Sequence, residues 1–165
     1  GRTGTASRRI SRGRHVSYGE GSPVETLTQQ QIDALLETAK VYRLRAYAPY
    51  SGFKVGAAVL TASGRLYGGC NVENASHPAG RCAEQTAVQK AVSEGETELL
   101  AVAALADGTG VCLPCGVCRQ VLGEFNPDMW VVMANLSGAV EVVRLSELMP
   151  RPFRMRQDAN RPGEG

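Results

Sequence analysis

Long apolar runs are missing from this chain. No stretch approaches the roughly 20 residues that a bilayer-spanning helix requires, so a helical membrane protein is not expected. Aromatic residues are scarce, at 5%, while the hydrophobic fraction of 43% is ordinary for a soluble globular protein. Acidic residues are nearly absent from residues 1 to 20, where five arginines face only Glu20, a local charge of +4. The last fifteen residues carry +2, which leaves −4 for residues 21 to 150 out of a total of +2. The basic character therefore belongs to the ends, and the middle lacks the cationic surface of a dedicated nucleic-acid reader. An even cysteine count is also lacking. There are five, unevenly spaced, and no apolar-centred leader precedes them, so a disulfide framework is not expected and a reducing, cytoplasmic setting fits.

At 165 residues the chain has the length of one domain with an adequate core. The opening "GRTGTASRRISRGRHVSYGEGS" has too little apolar content to fold alone, so residues 1–26 read as a disordered basic extension. Its Arg/Ser content also suits an organellar import signal or a nucleic-acid arm. A folded domain is expected over 27–153, with a flexible tail over 154–165.

Thr28 and Gln31 have the spacing of a capping box, followed by Ile32, Leu35, Leu36, Ala39 and Tyr42 at mostly helical intervals. Pro49 and Gly52 break that helix, and "FKVGAAVLTASGRLYGGCNVEN" reads as two strands turning at Ala62, Ser63 and Gly64. After a Pro/Gly loop, "CAEQTAVQKAVSEG" predicts a helix from about Cys82, ending at Gly95. "LLAVAALA" is a buried strand, "PCGVCRQVLGEF" a second helix after Pro114, "MWVVMAN" and "VEVVRL" two more strands, and "SELM" a short helical turn. Strands interleaved with helices predict an α/β fold, a three-layer α-β-α sandwich with a mixed five-stranded sheet.

Chemistry concentrates where these helices begin. Cys115 and Cys118, three apart, share a helix face and can reach one ion. By itself such a pair is equally a redox or packing feature. Cys82 at a second helix start would make a set of three thiolates with one position open, the arrangement of catalytic zinc. Glu84, two residues on, is placed to exchange protons with a metal-bound water, although a first-turn glutamate is also a common response to the helix dipole.

Taken together, "NVENASHPAGRCAEQTA" and "PCGVCRQVLGEF", with "YSGFKVGAAVL", resemble the cytidine deaminase family, specifically its small homotetrameric three-cysteine branch. The resemblance runs from about Thr28 to Phe153. It implies one Zn²⁺ per subunit on Cys82, Cys115 and Cys118, with Glu84 as the catalytic proton carrier. It further implies Asn71 and Glu73 on the ribose, Phe53 near the base, and the Ala83 N–H on the pyrimidine O2. Phe153 would be lent to a neighbouring subunit's pocket. The implied reaction is hydrolytic deamination of cytidine and 2′-deoxycytidine in pyrimidine salvage, with a small nucleoside as partner and neither membrane nor nucleic acid involved.

The chain also departs from the family. Relatives usually place an arginine after Cys-Ala-Glu that hydrogen-bonds the thiolates; here the residue is Gln85. Arg81 and Arg119 are the candidates to supply the missing charge. His77 or Cys112 as a fourth ligand would close the site and abolish catalysis. Two other functions stand beside the first: a deaminase of a cytosine nucleoside analogue, as in blasticidin-type enzymes, and a zinc-stabilised nucleic-acid-binding module that needs neither Glu84 nor Asn71.

Overall fold

The computed structural model describes residues 26–155. The expected N-terminal extension and most of the expected C-terminal tail lie outside the described residues. Ten elements are present among the described residues, nine of them in the expected order: α1 (Gln29–Arg43), β1 (Val55–Thr61), β2 (Leu66–Cys70), a 3-10 turn (His77–Ala79), α2 (Ala83–Ser93), β3 (Leu99–Ala106), α3 (Gly116–Phe125), β4 (Trp130–Asn135), β5 (Val140–Arg144) and α4 (Leu145–Leu148). The capping box is formed: Thr28 Oγ1 accepts from Gln31 N, and Gln31 Oε1 accepts from Thr28 N. The 3-10 turn is an addition to the expected elements, inside the loop read from its proline and glycine.

The five strands form one mixed sheet in the order β2-β1-β3-β4-β5. Only β3 and β4 run parallel; the other neighbours are antiparallel. Alternation along β1 sends Val55, Ala57 and Val59 into a core shared with α2, α3 and α4, and Ala58 and Leu60 into a core shared with α1. The sheet is thus covered on both faces, the expected three layers. Trp130 of β4 is buried with Ile32 and Leu35 on the α1 side, which fills that layer with few aromatic residues.

Small residues let the helices approach. A Cβ at Gly69 would lie 2.6 Å from the Ala83 carbonyl oxygen and would also meet the Ala87 backbone nitrogen. Because those are backbone atoms, nothing can swing aside, and glycine at this point of β2 fixes how closely the first turn of α2 sits on the sheet. Among the described residues no helix is long and apolar enough to cross a membrane.

Candidate metal centre

Topology explains why sequence-remote cysteines meet. β2 and β3 both pair antiparallel with β1, so both end at one edge of the sheet, Cys70 opposite Gly56 and Ala106 opposite Val55. The chain leaves that edge twice and each time returns as a helix, α2 after β2 and α3 after β3. Cys82 is the N-cap of α2, Cys115 is the N-cap of α3, and Cys118 lies in the first turn of α3. Their sulfurs all lie within 4.8 Å of one another.

Geometry and donor chemistry fit zinc. Two thiolates on a tetrahedral Zn²⁺, each at about 2.3 Å, stand roughly 3.8 Å apart, and the Cys82 and Cys115 sulfurs are 3.8 Å apart. Neither His77 nor Cys112 joins the group, so among the described residues three protein donors converge and a fourth position is left for a non-protein ligand. The thiols are also electrostatically linked. Hydrogen bonding from Cys118, then from Cys115, holds the Cys82 thiol down to about 6 against the opposing effect of burial. Cys118 moves upward in turn, because of that same bond to Cys82, its burial and the nearby Glu84. Cys112 is pushed up to about 12, chiefly by burial and then by the charges of Glu84 and Cys82, which marks it as an inert packing thiol.

Glu84 and Gln85 extend from the first turn of α2 into the same layer. Glu84 is 4% exposed, with Oε2 3.6 Å from the Cys118 sulfur; burial, opposed by its backbone N–H and reinforced by Cys82, raises its pKa. Gln85 is 8% exposed and its Nε2 donates to the Cys118 sulfur at 3.5 Å. Ala83, fully buried, opens the helix between the cysteine and the glutamate.

Beside the sulfurs lies a cavity of about 550 Å³, lined by Tyr50, Ser51, Asn71, Glu73, His77 and Arg81 among others and reaching Cys82. That is the size of a small-molecule pocket. Asn71 and Glu73 lie just past β2 rather than on it, in an extended segment where Val72 bridges both Tyr47 and Arg81. Asn71 donates to the Phe53 carbonyl and accepts from Val55 N, each at 2.8 Å. Glu73 accepts from Tyr50 N, Ser51 N and the Ser51 hydroxyl, and the Ser51 bonds hold its carboxyl below the usual range. These contacts sew residues 50–55 to 71–73 and form one wall of the cavity. Ser51 is the residue that sequence reasoning passed over; its position in "YSGF" was the available signal.

Phe53 is half exposed and is bonded through its backbone to Ser51 and Asn71, but it does not itself line the cavity. Phe153 stands elsewhere. It is 74% exposed and lines a different cavity of about 620 Å³, where the Gln120 side chain donates to its carbonyl and accepts from its N–H. Within one chain, Phe153 is therefore separate from the cavity that reaches Cys82.

The two candidate arginines are turned to other partners. Arg81 Nη1 donates to the carbonyls of Pro78 and Gly80 at 2.9 and 2.8 Å. Arg119 donates to the carbonyls of Pro114 and Leu148, both at 2.9 Å. Neither guanidinium hydrogen-bonds a sulfur. The 3-10 turn and its C-cap, Gly80, present the carbonyls that take up Arg81, which is why a residue adjacent to Cys82 in sequence is not adjacent in its bonding.

These features define a class: a three-layer α/β sandwich carrying an open, three-thiol metal centre where two helices start at one sheet edge. Residues 29–134 match the cytidine and deoxycytidylate deaminase zinc-binding region, and the chain belongs to that family. It is 45% identical to a cytidine deaminase of Sporosarcina psychrophila over 123 residues, 74% of this chain and 90% of that protein. A crystal structure of cytidine deaminase from Burkholderia pseudomallei superposes with a TM-score of 0.72 at 45% identity, covering 77% of this chain and all of that one. Cytidine deaminase from Mycobacterium leprae superposes at 0.62 with 36% identity, covering 72% and 97%. The metal of the family is zinc, and the Cys82, Cys115 and Cys118 cluster fits one zinc per chain.

Proposed function

We propose that this chain catalyses the zinc-dependent hydrolytic deamination of cytidine and 2′-deoxycytidine, water replacing the 4-amino group to give uridine or 2′-deoxyuridine and ammonia. One observation carries this reading: a buried carboxylate, Glu84, stands beside three converging thiols next to a cavity of small-molecule size. Its family relatives of known name support it.

In this reading Cys82, Cys115 and Cys118 hold the zinc. When bound, it would lower the pKa of a water so that a nucleophile exists near neutral pH. Glu84 takes one proton from the attacking water and delivers it to N3, then takes the second from the resulting C4 hydroxyl and delivers it to the departing amine. The Ala83 N–H, an unpaired donor of the first helical turn, holds the pyrimidine O2. Asn71 and Glu73 bind the ribose, and Phe53 packs near the base. Glu73 Oε1 is filled by the Tyr50 and Ser51 N–H groups, whereas Oε2, which accepts only the Ser51 hydroxyl, keeps a lone pair for a sugar hydroxyl.

Phe153 belongs in the pocket of a neighbouring subunit, since in its own chain it lies on a separate cavity and is largely exposed. A homotetramer with shared sites, a catalytic domain over 27–153 flanked by a basic extension and a tail, a cytoplasmic location and a role in pyrimidine salvage complete the proposal. The analogue-deaminase reading is less favoured because Asn71 and Glu73 both line the cavity.

The test is incubation of the zinc-loaded protein with cytidine, deoxycytidine, cytosine and a cytosine nucleoside analogue, with ultraviolet absorbance reporting loss of the amino group. Turnover of the two nucleosides, abolished by Glu84→Ala, is expected. Absence of turnover for all four substrates, or turnover undiminished in Glu84→Ala, would overturn the reading.

A further inference from the structure

Three thiolates on Zn²⁺ leave the centre with a net charge of −1. In this chain both arginines next to ligand cysteines are bonded to backbone carbonyls: Arg81 to Pro78 and Gly80, Arg119 to Pro114 and Leu148. Glu84 Oε2 lies 3.6 Å from the Cys118 sulfur as an acceptor, and the donor that reaches that sulfur is neutral. Gln85 Nε2 donates to Cys118 Sγ at 3.5 Å, with Cys118 fully buried and Gln85 8% exposed. Cys82 and Cys115, as N-caps, make no side-chain capping bond, so their sulfurs are free to face the metal while the helix N-termini behind them offset negative charge.

We infer that Gln85 is the positioning residue of the zinc centre, holding the buried Cys118 sulfur in its ligating orientation by an N–H···S bond and tempering its electron donation without adding a positive charge. The geometry is specific. Gln85 lies one residue after Glu84 on α2, whereas Cys118 is on α3, so this bond ties the helix bearing the proton carrier to the helix supplying two of the three ligands. An amide fits because its nitrogen donates to sulfur while the group as a whole stays neutral in a buried setting, where an unpaired charge would be costly. Partners of this kind, one shell beyond the ligands, typically govern about 10- to 100-fold in metal affinity. The inference rests on the zinc site of the proposed deaminase and is independent of which substrate is turned over.

Gln85→Met keeps the length and volume of the side chain and removes the donor. Zinc affinity, measured by competition with a chromophoric chelator, is expected to fall roughly 10- to 100-fold. In the cobalt-substituted protein, the thiolate-to-cobalt charge-transfer band should move to lower energy as the sulfur loses its hydrogen bond. Gln85→Glu, equal in shape and an acceptor in place of a donor, should weaken zinc further than Met. Gln89→Ala, an exposed position one turn along α2, should change neither readout. Wild-type zinc affinity and an unshifted cobalt band in Gln85→Met would overturn the inference; if that variant does not fold, wild-type affinity and band in Gln85→Glu would do the same. Because neither readout uses nucleoside turnover, a failure of the deaminase reading would leave this test standing.

Discussion

The helices on the two faces of the sheet begin differently. α1 opens with a closed capping box, Thr28 and Gln31 each bonding the other's backbone nitrogen. On the opposite face α2 and α3 open with Cys82 and Cys115, neither of which makes a side-chain capping bond. Position for position these are the same structural site, an N-cap with extended backbone dihedrals. At α1 the side chain stabilises the helix; at α2 and α3 that stabilisation is absent, and the two sulfurs converge with that of Cys118 instead. The face that does chemistry is locally the less secure one.

Substitutions can break this contrast. The largest expected effect is on the chemical face: Glu84→Gln should lower kcat by about 10²- to 10⁴-fold, the usual contribution of positioned proton transfer, while nucleoside binding measured by calorimetry is retained. Next comes the seat of α2. Gly69→Ala places a methyl against the Ala83 carbonyl and should cost about 1–3 kcal/mol in denaturant unfolding, with zinc affinity reduced as the first turn shifts. The smallest effects on stability form a matched pair on the caps, opposite in their effect on zinc. Thr28→Ala should lose about 1 kcal/mol of stability and leave zinc affinity unchanged. Cys82→Ser should do the reverse, raising the melting temperature of the metal-free protein by supplying a true cap while abolishing tight zinc binding. If Cys82→Ser leaves the metal-free protein no more stable, the cost assigned to the uncapped start of α2 is wrong.

How far the sequence carries the reader depends on whether the signal is local. Thr28 and Gln31, three residues apart, announce α1, and the alternation of strand and helix patterns announces the layers. The sequence also groups Cys82 with Cys115 and Cys118, through their shared place at predicted helix starts and through motif resemblance, since nothing local joins residues 33 apart. What joins them is the shared antiparallel pairing of β2 and β3 with β1, a long-range fact. Gly69 looked like one of two glycines in a strand, and its close contact with the Ala83 carbonyl needs the helix in place to be seen. Arg81 shows the opposite case: adjacency to Cys82 points to a compensating charge, while its guanidinium bonds the carbonyls of Pro78, in the 3-10 turn, and of Gly80, which caps that turn. Gln85, which the sequence marks only as a missing arginine, is the residue whose side chain donates to a ligand sulfur.

The placement of the sulfurs gives zinc a mechanical role as well as a chemical one. Cys82 and Cys115 anchor two segments that leave the sheet separately, so an ion held by both, and by Cys118, acts as a cross-link between α2 and α3. Chelation would therefore release two helix starts at once. With zinc withdrawn, amide hydrogen exchange should quicken first at the opening turns, residues 83–86 and 116–119, while the buried strands β1, β3 and β4 keep their protection. The molecule would lose the rigidity of its catalytic edge before it lost its fold.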